Sequence, residues 1–454
     1  MSKQSKDYLD EEELSKLEFQ YESAMEILNT HLEVLISNFE MQKGGIKSVE
    51  HFNKRLKKLD SAINKLKKKN ISVDVYQLEQ NLGDMVGIRL VCPFIDDVYD
   101  MVNLIKSSDL IQVYEEKDYI KSPKKSGYQS YHILVKIPVA VGDEIKMVKG
   151  EIQVRTLAMD AWAAMEHKIR YKPANSKALI PRQKEMLTIC ARAFQLIEDY
   201  MRNLLPKGKA FEKEEKKELE SLKYFFSEKE LKQFEFEYES ALKILKTHLG
   251  VRINNHNLSN GTKSVEHLNT RFKKMSSISR KLGEKNIEMN LENIRNNVSD
   301  VAAIRLVCPF INDVYDMVEL IKSSDLIEVY EERDYIANPK ESGYRSYHLL
   351  AYVPVPVDDD IKMVKTEIQI RTLAMDAWAA MEDRIMYNQN RVLTDEQKMM
   401  LKICANTFQE VEEYMSNLLN PNSKYISSAL DEYFAPVGPQ PSDEKKHKKN
   451  KRIL

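Results

Sequence analysis

Apolar residues recur at three- and four-residue intervals over 95–106, 158–170 and 182–204, the spacing that puts them on one face of an α-helix. Between and before these lie shorter runs rich in β-branched and aromatic residues. VGIRLVC (86–92), LIQVYEEK (110–117), QSYHILVKI (129–137) and VKGEIQVRT (148–156) predict strands. Upstream the pattern predicts a first helix, a basic helix over SVEHFNKRLKKLDSAINKLKKK (Ser48–Lys69) and a short third helix. The order is therefore helix, basic helix, short helix, strand, helix, three strands, two helices. The whole plan then repeats. DMVGIRLVCPFIDDVYDMVNLIKSSDLIQVYEEKDYI at Asp84–Ile120 returns as DVAAIRLVCPFINDVYDMVELIKSSDLIEVYEERDYI at Asp300–Ile336. YESAMEILNTHL (Tyr21–Leu32) likewise pairs with YESALKILKTHL (Tyr238–Leu249). Solenoid repeats have periods of roughly 20–50 residues, so a unit this long is a duplicated domain. The expected division is 1–205 and 224–435, joined by a charged linker at 206–223 and followed by a tail at 436–454.

A chain of 454 residues suits two domains, each large enough to bury its own core. The net charge of −1 supplies no bulk field toward nucleic acid or membrane. No apolar run approaches the roughly 20 residues that span a bilayer, and the acidic start MSKQSKDYLDEEEL is not a signal peptide. A cytoplasmic protein with no membrane partner is expected. Cys92, Cys190, Cys308 and Cys404 form two repeat-related pairs inside apolar segments, which predicts reduced core thiols and no zinc site or disulfide framework. The tail PVGPQPSDEKKHKKNKRIL is too polar to order itself; it is a solubilising extension or a basic contact for RNA.

Four polar constellations recur in each copy. If Ser48–Lys69 is one helix, Lys54, Lys57, Lys58, Ser61, Lys65 and Lys68 fall within an arc of about 100°, opposite Phe52, Leu56, Leu59, Ala62, Ile63 and Leu66. A lysine face is often only a solvated face. Ser61 among the lysines and Arg55 within the apolar arc suit a polyphosphate instead. In the second constellation Asp84 opens a strand on which Gly87 and Arg89 share a face, leaving room for close approach and a charge to hold what approaches. In the third, PKKSGYQSYH (Pro123–His132), Tyr128, Ser130 and His132 share a face; Tyr128 beside Lys124 and Lys125 can stack on a base, or simply cover a sheet edge. In the fourth, Glu151, Gln153 and Arg155 share a face. Glu151 lying across the sheet from Asp84 would complete an oxygen site for Mg²⁺. Each strand alone could be the wet face of an antiparallel sheet; together they outline a site for Mg²⁺ and nucleotide.

RLKKLDSAINK, DMVGIRLVC, GYQSYH and EIQVRTLAMDAWAAMEHKIRYK closely resemble the synthetase domain of the RelA/SpoT superfamily, in its stand-alone small alarmone synthetase form, over nearly all of both copies. The resemblance implies a nucleotidyltransferase-like α/β domain with a mixed, mostly antiparallel five-stranded sheet flanked by helices, present twice. It implies transfer of pyrophosphate from ATP to the 3′-hydroxyl of GTP or GDP. In the first copy Arg55 and Arg89 would sandwich adenine, Lys57, Ser61 and Lys65 would hold the phosphates, and Asp84 would bind Mg²⁺. Glu151 would be a second metal ligand or the base. Tyr128 would stack on guanine, with Lys124 and His132 near its phosphates and Gln153, Asp160 and Lys172 around the acceptor. The second copy keeps Arg271, Lys273, Ser277, Lys281, Asp300, Arg305, Lys340, Tyr344, His348, Glu367 and Gln369. It departs where Ala303 replaces Gly87, Gly283 and Glu284 replace Lys67 and Lys68, Asp383 replaces His167 and Asn388 replaces Lys172. Lys117 stands where the family usually has arginine, which Arg333 restores. The first copy is expected to be the more active, and the chain to associate as a dimer of tandem chains. A tRNA 3′-end pyrophosphokinase and a non-catalytic nucleotide or RNA binder are the rival readings.

Overall fold

The structure is a computed structural model and describes residues 9–170, 179, 181–205, 226–386 and 393–419. The expected linker and basic tail, together with Lys172 and Asn388, lie outside the described residues.

Each half opens on a long helix, α1 (Glu11–Gln42), whose N-terminus is closed by a capping box. Asp10 accepts from the Glu13 amide at 2.8 Å while the Glu13 carboxylate accepts from the Asp10 amide. There follow β1 (His51–Leu56), α2 (Leu59–Lys68), α3 (Val75–Asn81), β2 (Val86–Cys92), α4 (Ile95–Lys106), β3 (Gln112–Asp118), β4 (Tyr131–Val141), β5 (Glu144–Thr156), α5 (Leu157–Arg170) and α6 (Pro181–Asn203). The second half repeats them as α7 (Glu228–Asn260), β6 (His267–Phe272), α8 (Met275–Glu284), α9 (Leu291–Asn297), β7 (Ala302–Cys308), α10 (Ile311–Lys322), β8 (Glu328–Asp334), β9 (Tyr347–Val357), β10 (Asp360–Thr372), α11 (Leu373–Met386) and α12 (Asp395–Asn417). The sheets run β1-β2-β5-β4-β3 and β6-β7-β10-β9-β8. Only the central pairs β2/β5 and β7/β10 are parallel; the other ladders are antiparallel. This is the mixed, mostly antiparallel five-stranded α/β domain that was expected, twice.

One expectation fails. Ser48–Lys69 is not a single basic helix. Its first part is the edge strand β1, paired antiparallel with β2 from His51↔Val91 to Leu56↔Val86, and the chain becomes helical only after Lys58, the N-cap of α2. The helical wheel had merged charges from two elements: Lys54 and Arg55 belong to the strand, Ser61 and Lys65 to the helix. An edge strand with one ladder to satisfy tolerates a lysine-rich exposed end, and pairing with β2 outweighed the local three-four recurrence. Smaller shifts occur at β4, which begins at Tyr131, so Tyr128 and Ser130 precede the strand.

The alternation read in VGIRLVC holds. Val86, Ile88 and Leu90 are buried in a core that α1, α4 and the sheet share, while Gly87 and Arg89 are half-buried on the opposite face. An equivalent core fills the second half. A third core joins the halves: α5 and α6 pack against α11 and α12, bringing Trp162, Phe194, Trp378 and Phe408 into one cluster, with the two phenylalanine rings 5.6 Å apart. Contacts across this junction are reciprocal. Lys168 pairs with Asp313 at 2.5 Å and Arg384 with Asp97 at 3.2 Å, so the halves are related by an approximate two-fold axis. All four cysteines are free and buried. Among the described residues no helix is long and apolar enough to cross a membrane.

Candidate active site

Register places the predicted chemistry on the sheet face that looks away from each half's own core. Arg55 lies opposite Gly87 and Asn53 opposite Arg89 across β1/β2; Gly87 lies opposite Glu151 and Arg89 opposite Gln153 across β2/β5; Gln153 lies opposite His132 across β5/β4. Directly paired residues share a face, so the arginines, Glu151, Gln153 and His132 form one polar surface.

Asp84 stands just before β2, where α3 ends. The break between β1 and α2 delivers Lys57 and Lys65 to it from two elements, and both ammonium groups donate to Asp84 Oδ2, at 2.7 and 2.8 Å. Burial opposes ionisation of Asp84, but the two lysines outweigh it and hold the carboxyl below its ordinary value. Its other oxygen, Oδ1, is buried with no hydrogen-bond partner. Asp300 is also held by two lysines, but one to each oxygen, Lys273 to Oδ2 at 2.5 Å and Lys281 to Oδ1 at 2.8 Å, and its pKa falls to about 2. Ser61 is one helical turn before Lys65 on α2 and points with it toward the same side.

Glu151 is gripped at both oxygens. The His132 Nδ1 lies 2.8 Å from Oε1 and the Gln153 amide donates to Oε2 at 2.9 Å. Burial alone would raise its pKa; these partners outweigh it and hold Glu151 below its ordinary value. The Tyr128 hydroxyl is 2.9 Å from His132 Nε2, so one relay runs from tyrosine through histidine to carboxylate. In the second half Tyr344, His348, Glu367 and Gln369 reproduce it at 3.0, 2.8 and 2.9 Å. The loop holding Tyr128 turns at Gly127, whose φ is +90° and where an added Cβ would lie 2.8 Å from the Ala191 Cβ, so there is no room for a side chain. That turn sets the Lys124 ammonium 4.4 Å from the Tyr119 ring centre and 4.8 Å from that of Tyr128. Lys340 sits likewise over Tyr335 and Tyr344. Lys117 lies opposite His132 across β3/β4 and pairs with Glu115, as Arg333 does with Glu331.

Asp84, Lys57, Lys65, Arg89, Glu151, Gln153, His132, Tyr128 and Lys124 thus lie together, and Asp160 meets this set through Arg89. It is 1% exposed and pairs with Arg89 at 3.3 Å, Arg155 at 3.4 Å and His267 of the second half at 2.8 Å. Asp376 has the same setting with Arg305, Arg371 and His51. The residues that sequence reasoning missed are therefore His51, Asn53, His267 and Asn269. Their signal was faint: polar residues at the start of a strand whose very existence was hidden, bonded to partners more than 100 residues away.

A divalent cation suits this donor set. Asp84 Oδ1 is an orphaned buried acceptor, and Asp84 and Glu151 are close enough for each charge to act on the other. Among the described residues no cluster of three or more His, Cys, Asp or Glu side chains could hold a metal unaided. Two carboxylates completed by substrate phosphates and water are what Mg²⁺ commonly takes.

Fold and face define a duplicated mixed α/β domain with a lysine–carboxylate–arginine site on each sheet. A family profile described as the region found in RelA / SpoT proteins matches residues 54–176 and again 270–392. The chain belongs to that family. It is 36% identical over 163 residues to the GTP pyrophosphokinase YwaC of Bacillus subtilis, covering 36% of this chain and 76% of that relative. It is 32% identical over 193 residues to the GTP pyrophosphokinase YjbM of the same organism, covering 42% and 89%. Among solved structures it is similar to small alarmone synthetase 1 from Bacillus subtilis bound to its product pppGpp, with 32% identity, a TM-score of 0.40, and coverage of 42% of this chain and 97% of that one.

Proposed function

We propose that the chain is an Mg²⁺-dependent GTP/GDP pyrophosphokinase that makes pppGpp or ppGpp in the cytoplasm. The observation that carries this reading is Asp84, held ionised between Lys57 and Lys65 with its second oxygen unpartnered, one strand away from Glu151. Arg55 and Arg89 bracket the adenine of ATP, and Tyr128 stacks on guanine with Lys124 and His132 near the acceptor's phosphates. Entry of ATP exchanges partners: Lys57 and Lys65 leave Asp84 for phosphate oxygens, and Ser61 adds a hydroxyl. Asp84 would hold Mg²⁺, which would neutralise charge on the phosphates. The 3′-oxygen of the guanosine attacks the β-phosphorus in line, the bond from that phosphorus to the α,β-bridging oxygen breaks, and AMP leaves. Glu151, kept anionic by His132 and Gln153, takes the hydroxyl proton. The relatives are named for GTP and not for tRNA, which supports free nucleotide as acceptor.

The halves are unequal in this reading. Gly283 and Glu284, which follow Lys281 on α8, stand where the first half has two lysines and so remove two positive charges and add a negative one, and Asp383 sets a further negative charge near Arg305. The first half carries most of the turnover. Exposed Phe19, Val34 and Met41 on α1, with Phe236, Val251 and Leu258 on α7, offer apolar surface for pairing two tandem chains. The decisive assay follows AMP release and label transfer from β-labelled ATP with Mg²⁺ and GDP, GTP or tRNA. Labelled guanosine product is expected; label on tRNA alone would overturn the proposal. In the same assay Asp84→Asn should cut synthesis about tenfold or more and Asp300→Asn less than twofold. Equal losses would refute the asymmetry.

A further inference from the structure

The adenine arginine of each half is oriented through a group that the opposite half supplies. Arg89 is 33% exposed at its side chain, its Nε is buried without a hydrogen-bond partner, and its Nη1 donates to Asp160 Oδ1 at 3.3 Å. Asp160 in turn is fixed from beyond the junction, because His267 on β6 reaches its Oδ2 at 2.8 Å. A carboxylate has no proton to give, so His267 Nε2 carries the hydrogen and donates. His267 Nδ1 is then free to accept from the Asn53 amide at 3.0 Å. The mirror network is complete: His51 Nε2 donates to Asp376 Oδ2 at 2.6 Å, the Asn269 amide donates to His51 Nδ1 at 2.7 Å, and Asp376 Oδ1 accepts from Arg305 at 3.2 Å. The two imidazoles stack at the axis, with centroids 4.0 Å apart and planes 4° from parallel. Two imidazolium rings would repel at that distance, and the hydrogen bonds described need no charge on either ring.

We infer that His267 is a positioning residue for the ATP site of the first half and His51 for that of the second, so that each site is complete only when the other half is docked. The inference rests on the placement of Arg89 and Arg305 at the adenine. An ion pair serving only the fold would need no donor from across the junction, since Arg155 already lies against Asp160. What His267 adds is a hold on the oxygen that Arg155 and Arg89 leave free, which keeps Oδ1 aimed at Arg89. Asn53 ties the two functions together, for it stands beside Arg89 in the β1/β2 register while hydrogen-bonding the histidine that steadies Asp160.

The test uses the full chain with Asp300→Ala, so that turnover reports the first half. His267→Leu should raise the KM for ATP about tenfold while the KM for GDP and kcat stay within about twofold. His267→Gln, whose amide still donates to Asp160, should restore most of the loss. His51→Leu removes the same ring stack but leaves the Asp160 hydrogen bond, and should raise that KM several-fold less. Equal effects of His51→Leu and His267→Leu, or no effect of either, would overturn the inference and leave only an interface contact. Calorimetric titration with a non-hydrolysable ATP analogue, on chains whose second site is disabled by Arg271→Ala, reads the same contact without turnover. Absence of synthesis by the unaltered chain would strike the proposed function, and the analogue's affinities would still decide the role of His267.

Discussion

Thr156 and Glu198 show how a single buried carboxyl joins the site to the scaffold. Thr156 ends β5, the strand that carries Glu151, and its hydroxyl donates to Glu198 of α6 at 2.5 Å inside the protein. Burial pushes the Glu198 pKa up to about 8, with Thr156 opposing only part of the rise; Glu412 beside Thr372 behaves the same way. Because the folded pKa is raised, the native state holds a proton that the unfolded chain has lost. The stabilising contribution is full below the unfolded value near 4.5 and drains away as pH climbs toward about 8. Each group then lowers stability by at most about 1.4 kcal/mol per pH unit within that window. Glu198→Gln keeps the hydrogen-bonding shape without the titration. The melting temperature of the variant should therefore fall less steeply between pH 5 and pH 8 than that of the unaltered chain, as differential scanning fluorimetry would show. An unchanged slope would mean that Glu198 is not protonated in the native state.

Elements, more than single residues, separate the two halves. α2 and α8 occupy equivalent places over Asp84 and Asp300, but α8 contains Gly283 where α2 has Lys67. A Cβ built at Gly283 meets nothing within 4 Å, so the glycine answers no packing need and only weakens the helix. Gly283→Ala should stabilise the chain by about 0.5–1 kcal/mol in chemical denaturation. Gly283→Lys with Glu284→Lys should do that and also raise synthesis by the second half, measured with Asp84→Asn silencing the first; a gain in stability with no gain in turnover would show that charge is not what limits that half. These elements also mark how far the sequence could be read. α4 was legible to its ends because its apolar stripe is continuous and solvent covers its other face. Asp84, Glu151, His132 and Tyr128 were legible because period-two alternation and one glycine turn set their directions. β1 was not, since an edge strand with a lysine-rich end carries a helical spacing by coincidence and only its ladder with β2 distinguishes the two. The place of Asp160 near the acceptor came from the family resemblance alone, and nothing on its own helix announces its bond to His267, which arrives from the other half.

At the scale of the whole molecule the duplicated domains are not two beads on a string. The face that carries Arg89 and Gln153 continues along β2 and β5 to Val91 and Arg155, and from there into the core where α5 and α6 meet α11 and α12. Catalysis and docking therefore use adjoining parts of one sheet face, and neither half can shed the other without opening Trp162, Phe194 and their counterparts to water. This argues against judging each site by cutting the chain in two, because an isolated half would expose that core and lose the histidine that steadies its arginine. Silencing one half inside the intact chain is the cleaner comparison. It also predicts how the protein melts. Two halves with private cores would unfold in two steps, whereas a core common to both couples them. Calorimetry should record one cooperative transition, and Phe194→Ala, which removes a fully buried ring packed on Phe408, should lower that single transition by about 3–5 kcal/mol without splitting it. A variant that melted in two separate steps, one at the original temperature, would mean that the second half stands on its own core and that the junction is a contact between independent domains.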